Sequence, residues 1–286
     1  MTDDHLQPHM HRTGLALEKQ LGRDLSSRSH DMNRLTPLQD SLGFSCKEAA
    51  ISFRLLSNRS PLLNVIHKTL LVPYFAEDDR DNKGALHTYL AQNHENYGNR
   101  VQFYVVAAVK RRRVVGTTIF AFFGWKDFCI MSGHYTAVLP EERGKHLSSQ
   151  LDDLRQRIAS QTAKRFGYAG LDLSVISIPI ARPVAASPPV QPFPAKLWLN
   201  LGYRRLDFTF LQLPLSQDKR LTFQTLWVKR HSARFEERCT LSSQEVERIV
   251  EAANHFRNSH TPPRGYSAYK KMLRRLREVS HVRIIE

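Results

Sequence analysis

The chain has 286 residues, 41% of them hydrophobic and 24% charged, and its 42 Lys and Arg against 27 Asp and Glu leave a net charge of +15. This length can bury a sizeable core, and the composition is ordinary for a soluble globular protein. No stretch reaches the roughly 18 uninterrupted apolar residues that a membrane span needs, so a membrane partner is excluded from the expectations.

Residues 1–45 are polar, with scattered histidines and the serine-rich LSSRSH, and are expected to form a mostly disordered arm. ISFRLL from Ile51 reads as a strand, and SPLLNVIHKTLLVPYFAED opens with a Ser-Pro helix start and carries apolar residues at helical spacing until Pro73 ends or kinks it. A polar helix or loop over 79–96 follows. VQFYVVAAV, the turn KRRR and VVGTTIFAFFG predict a hairpin, with FCIMSGHYTAV as the next strand. The turn, Lys110 to Arg113, is the densest charge cluster; it fits either a solvated hairpin tip or a patch for an anionic macromolecule.

A helix is expected over 144–166, with Leu147, Leu151, Leu154 and Ile158 as its apolar stripe. LDLSVISIPI is a near-continuous apolar run suited to a strand buried on both faces. The proline-rich ARPVAASPPVQPFP must be a loop, and AKLWLNLG a short helix capped at Gly202. YRRLDFTFLQLPL and LTFQTLWVKRH predict an antiparallel pair. SSQEVERIVEAANHF places Ser242 and Glu245 at capping-box spacing, and YSAYKKMLRRLREV carries Met272, Leu273, Leu276 and Val279 on one face, so a helical extension is expected over 233–286.

The run from His134 to Leu154, HYTAVLPEERGKHLSSQLDDL, carries the clearest chemistry. A strand ending near Leu139 and Pro140 and a helix starting near Gly144 leave the first helical N–H groups without intrahelical partners. The helix dipole and the cations Arg143 and Lys145 favour an anion there, and Gly144 admits its close approach. The same residues also fit an ordinary solvated basic turn.

The order strand, helix, hairpin, strand, R-G-K turn, helix, strand, short helix ending in L-G-Y and two final strands resembles the GNAT-superfamily N-acetyltransferases. The resemblance spans Ile51 to His231 and rests on AVLPEERGKHLSSQL and AKLWLNLGYRRLDF. It implies an α/β (α+β) fold: a mixed, mostly antiparallel twisted sheet of six to seven strands flanked by helices, over a 46–232 domain, plus the polar arm and the helical extension. It further implies that acetyl-CoA, as acyl donor, passes an acetyl group to an amine acceptor by direct attack. A non-catalytic module of the same fold that binds CoA or a partner is the alternative.

The family's anion turn reads [Q/R]-x-x-G-x-[G/A]. The residues implied to bind CoA are Arg143, Gly144, Lys145, His146, Leu147 and Ser148, with Ala137, Val138 and Leu139 offering strand backbone to the pantetheine amides. Arg143 matches the pattern, whereas His146 and Ser148 stand where Gly and Gly or Ala are usual. By the same resemblance His134 is a general base, and the family's acidic tyrosine is replaced by Trp198, which leaves Tyr135 and Tyr203 as general-acid candidates. Tyr135, adjacent to His134 in a strand, is expected to face the other side.

No metal is expected, since Cys46, Cys129 and Cys239 are too widely spaced for a metal or disulfide framework. The charge suits an anionic cofactor, an acidic protein surface, or nucleic acid or ribosome association, and does not choose among them. MTDDHLQPHMHR lacks the basic-then-apolar order of a secretory signal, so a cytoplasmic location is expected, with a secreted bacterial effector as alternative. The acceptor and the oligomeric state are left open.

Overall fold

A long hairpin forms one side of the sheet. β2 (Arg100–Lys110) and β3 (Arg113–Gly124) are runs of β-branched, aromatic and small residues, and β3 is buried from Val114 to Phe123 because both faces of the sheet are covered there. The turn residues Arg111 and Arg112 both adopt positive φ, 48° and 66°. A two-residue hairpin turn requires that geometry, which Asn and Gly reach at less cost. The computed structural model describes residues 51–93, 100–180, 195–214, 221–255 and 267–285; the arm expected over 1–45 and the proline-rich loop lie outside them.

β1 (Ile51–Leu55) pairs with β2, and β4 (Cys129–Val138) with β3. β5 (Leu173–Pro179), β6 (Arg204–Gln212) and β7 (Thr222–Arg230) follow, and the C-terminal segment adds β8 (Thr240–Ser242) and β9 (His281–Ile285). The sheet order is β1-β2-β3-β4-β5-β7-β6-β9-β8. Every pairing is antiparallel except β4 with β5.

The fold is therefore a mixed α/β sheet, mostly antiparallel and flanked by helices, but it has nine strands where six to seven were expected. The two extra strands come from the 233–286 segment, expected to be helical. There β9 pairs with Arg205 and Leu206 of β6, and β8 with β9.

α1 (Leu62–Ile66) widens into a π-type turn over His67–Leu71 and stops before Pro73, whose ring cannot continue a helix. α2 (Ala85–Gln92) starts after Gly84. α3 (Leu147–Arg165) packs on β3 and β4. α4 (Ala195–Asn200) ends in a Schellman motif: Gly202, at φ 87°, donates to the Leu199 carbonyl, and Tyr203 donates to that of Trp198. α5 (Ala233–Glu236) is a single turn.

α6 (Ser243–His255) carries the expected capping box. The Glu245 amide donates to Ser242 Oγ at 3.3 Å, and Glu245 Oε2 accepts from the Ser242 amide at 2.8 Å. α7 (Ser267–Glu278) buries Tyr269, Leu273 and Leu276 and exposes Lys270, Lys271, Arg274 and Arg275.

The two sheet faces are distinct along the hairpin. On one, Tyr104 stacks on Phe120 and its hydroxyl meets Thr162 of α3, which fixes this as the α3 face. On the other, Phe103 packs edge-on against Tyr89 of α2.

Candidate functional site

The site is a wedge made by strand pairing. β4 and β5 are hydrogen-bonded only over Ile130–Gly133 and Leu173–Ile176. Beyond that, β4 stays with β3 up to Val138, while β5 stays with β7 up to Pro179. The two parallel strands part after Gly133 and Ile176, and the vertex of the wedge lies there.

Alternation along β4 decides which backbone groups face the wedge. Leu139 donates its amide to the Val115 carbonyl at 2.9 Å, so Leu139 and, two residues back, Ala137 spend their polar edges on β3. Thr136 and Val138 turn theirs to the open side. Of the expected pantetheine partners Ala137, Val138 and Leu139, only Val138 presents its backbone to the wedge, and its carbonyl accepts from Arg143 Nε at 3.2 Å.

The anion turn is longer than the sequence suggested. Pro140–Glu142 form one tight turn, Gly144 and His146 take positive φ of 75° and 57°, and α3 begins at Leu147 rather than Gly144. A residue at positive φ is outside the helix, so His146 becomes the N-cap. Its side chain makes no capping bond, which leaves the first-turn amides of Leu147, Ser148 and Ser149 available to a ligand.

The cations expected at that anion are engaged elsewhere. The Arg143 guanidinium lies over the Tyr74 ring at 5.1 Å. Lys145 Nζ reaches the Glu141 carbonyl at 2.7 Å and Glu142 Oε2 at 3.1 Å. Lys110 pairs with Glu142 at 2.9 Å and Arg113 with Glu141 at 2.9 Å. The bonds from Lys110 and Lys145 hold the Glu142 carboxyl below the ordinary carboxylate range. The KRRR tip is thus tied by its two ends to the glutamates of the turn, with Arg111 and Arg112 exposed between them.

Among the catalytic candidates, His134 sits at a β-bulge. Ile119 pairs with Tyr135 and Phe120 with Gly133, so His134 is the extra residue of β4. The bulge breaks strand alternation. The His134 ring lies 5.8 Å from that of Phe103, and Tyr135 packs edge-on against Phe75, so both side chains point to the α2 face. The expectation that they face opposite sides is corrected by the bulge.

Tyr135 is tied into the loop before α2. Its hydroxyl donates to Asp81 Oδ2 at 2.9 Å and accepts from the Asp81 amide at 3.0 Å, while Tyr89 donates to the other Asp81 oxygen at 2.8 Å. Tyr203 is fully buried on the α3 face, among Ile176, Ile178, Trp198 and Trp227. Its hydroxyl donates to Asp152 Oδ1 at 3.0 Å, and burial pushes its pKa up. Both tyrosines hold their protons against buried carboxylates, so neither presents a free acid to the wedge.

A group at the vertex escaped the sequence reading. Arg155 of α3, 1% exposed, bonds through Nε to Asp152 Oδ1 at 2.8 Å and through Nη2 to the Tyr203 hydroxyl at 3.0 Å. Its third corner, Nη1, faces Thr136 Oγ1 at 3.4 Å. A Cβ on Gly133 would come within 2.5 Å of that nitrogen, so Gly133 is the space the guanidinium fills. Arg155 also stacks on Trp198 at 5.3 Å. Burial opposes its charge, but Tyr203 and Asp152 beside it leave its pKa raised. The signal lay in the helix stripe itself: Arg155 stands four after Leu151 and three before Ile158, a charge where the pattern calls for an apolar residue.

Among the described residues, no group of three or more His, Cys, Asp and Glu is placed to hold a metal ion, and no helix is long and apolar enough to cross a membrane. No family model matches the sequence, and no curated protein does.

Solved structures do match in fold, and they include GNAT-family acetyltransferases, the family that the motifs resemble. A probable acetyltransferase from Staphylococcus epidermidis is 13% identical, with 64% of this chain and 99% of that one covered at a TM-score of 0.45. A GNAT family acetyltransferase from Elizabethkingia anophelis with acetyl-CoA bound is 13% identical over 64% and 99% of the two chains, TM-score 0.39. Arabidopsis thaliana NAA60 in complex with a bisubstrate analogue is 14% identical over 63% and 97%, TM-score 0.41.

Proposed function

We propose that the chain is an acyl-CoA-dependent N-acyltransferase that moves an acetyl group from acetyl-CoA to an amine by direct attack in a ternary complex. The observation that carries this reading is the wedge between β4 and β5 beside the uncapped N-terminus of α3. A pantetheine arm entering the wedge would pair with Thr136 and Val138 as an added strand does. Its pyrophosphate would then meet the amides of Leu147, Ser148 and Ser149, with Gly144 and His146 allowing the approach.

In this reading the acceptor amine comes from the α2 face, where His134 lies at the bulge, and the imidazole takes the proton that the amine loses on attack. Residues 46–232 form the acyltransferase domain, 233–286 its extension, and the cytoplasm is the expected compartment. Calorimetric titration of the full chain with acetyl-CoA tests the reading, followed by thiol release in the presence of amines. Binding is expected, and His134→Ala should lower turnover more than affinity. Absence of CoA binding at millimolar ligand sinks the proposal.

One observation favours a second reading, a CoA-binding module without transfer: the Tyr135 and Tyr203 hydroxyls are both committed to carboxylates. CoA binding with no transfer to amine, peptide or RNA-linked acceptors would select it. Nucleic acid or ribosome association would fall to Arg111, Arg112 and the exposed cations of α7, and should weaken steeply with salt.

A further inference from the structure

The chemistry proposed above leaves one charge unattended. When the amine nitrogen bonds to the thioester carbon and the C–S bond breaks, the electron pair stays on sulfur as a thiolate. The proton shed by the amine goes to His134 and then to water, on the opposite face of the sheet. The α4 position aligned with a tyrosine acid holds Trp198, whose indole is no useful acid.

What lies on the Trp198 ring is the Arg155 guanidinium, 5.3 Å from its centroid. Two of its corners are bound, to Asp152 and to Tyr203. The third faces Thr136 Oγ1 and fills the space that Gly133 leaves at the vertex. The cluster is not neutral. Lys229 Nζ stands 3.9 Å from the second Asp152 oxygen, so two cations face one carboxylate, and the buried Tyr203 hydroxyl carries no charge. A net positive charge is thus fixed at the narrow end of the wedge, with the Arg155 guanidinium itself buried away from water and Lys229 partly exposed behind it.

We propose that Arg155 replaces the missing acid: its charge at the vertex stabilises the CoA thiolate as it leaves, so that no proton donor is needed and the sulfur takes its proton from water on release. This rests on the reading that the pantetheine arm occupies the wedge. An arm paired with Val138 and then Thr136 runs toward Gly133, which carries its sulfur to the guanidinium.

The test reads the sulfur directly, without turnover. CoA is bound to the full chain, and its thiolate is titrated by ultraviolet absorbance against a blank holding desulfo-CoA, which cancels the protein's own cysteines. The bound thiol should titrate about 1–3 pH units below free CoA, as expected for a cation within a few ångströms. Arg155→Lys should keep part of that displacement. The paired change Arg155→Met with Asp152→Asn, which leaves no orphan carboxylate, should reduce it to what Lys229 alone supplies, and adding Lys229→Met should abolish it while CoA still binds. A bound thiol that titrates like free CoA, or a displacement unchanged in the paired variant, overturns the role of Arg155 and leaves the acyltransferase reading standing. Failure of CoA to bind at all overturns both.

Discussion

The 140–146 turn and the Asp152–Arg155 cluster lie within three helical turns of each other, and both concentrate cations beside carboxylates, yet they hold charge in opposite ways. At the turn, Arg113 and Lys145 have side chains 67% and 56% exposed and pair directly with Glu141 and with the largely buried Glu142. In the cluster, Asp152 and Arg155 are 0% and 1% exposed and are bonded to each other, to Tyr203 and to Gln156. Water screens the exposed Arg113, Glu141 and Lys145, so their ion pairs shape the loop and add little stability. Nothing screens the second set, so each partner there is indispensable to the other.

The difference is sharpest for Arg155→Met. Removing the guanidinium leaves the buried Asp152 carboxylate with neutral donors from Tyr203 and Gln156 and with Lys229 only at 3.9 Å, and breaking a buried pair from one side costs about 3–5 kcal/mol. Urea unfolding should show that loss, and the paired variant with Asp152→Asn should recover most of it. A loss no greater than that of a surface arginine would erase the contrast between the two regions. Next in size is Gly133→Ala, whose Cβ would sit 2.5 Å from Arg155 Nη1 and 3.0 Å from Ile176 Cγ2. Overpacking of this kind costs about 1–3 kcal/mol. The same substitution at Gly170, with nothing within 4 Å, is the control and should be close to neutral.

The two regions also differ in how legible they were. The turn announced itself through local chemistry: a strand, then P-E-E-R-G-K, then a leucine stripe. That was enough to place an anion-facing helix start, although the positive φ of His146 moved it three residues along. The Ser242–Glu245 box and the Gly202 cap were readable for the same reason, being decided within six residues of chain.

The wedge was not, because it arises from where pairing stops between strands some 40 residues apart. Nor was the bulge at His134, which reverses the side to which Tyr135 points; alternation is a property of regular strands, and no local residue marks the slip. β8 and β9 were missed because they owe their pairing to β6. Arg155 lay in plain view on an apolar stripe, and its meaning depended on Gly133, 22 residues away in sequence and in contact only after folding.

A smaller effect probes the turn as an anion site. His146→Asp keeps a residue that tolerates positive φ and places a carboxylate at the N-cap, in front of the amides of Leu147 to Ser149. CoA affinity should fall about tenfold or more by repulsion of the pyrophosphate, a difference near 1.4 kcal/mol, while the melting temperature should hold or rise because Asp is a good N-cap. If affinity does not change, the pyrophosphate does not bind there, and the turn is a solvated loop as its ion pairs alone would suggest.

The smallest expected effect is the pH dependence of the turn itself. Glu142 accepts from Lys110 and Lys145, and these bonds lower its pKa from the ordinary 4.5. The unfolded chain therefore takes up the proton first as pH falls. The stabilisation from Glu142 is complete above about 4.5 and drains away below it, toward the lowered folded value. Lys110→Met removes the largest cause of that lowering. The variant should melt slightly below the wild type at about pH 6 and lose less on acidification, so that the two melting curves converge as pH falls below the lowered folded value. Curves that stay parallel would mean that Glu142 is held by something other than these lysines. The paired loss of Asp152 and Arg155 should leave this convergence untouched, since the turn precedes α3 and shares no ion pair with the cluster inside it.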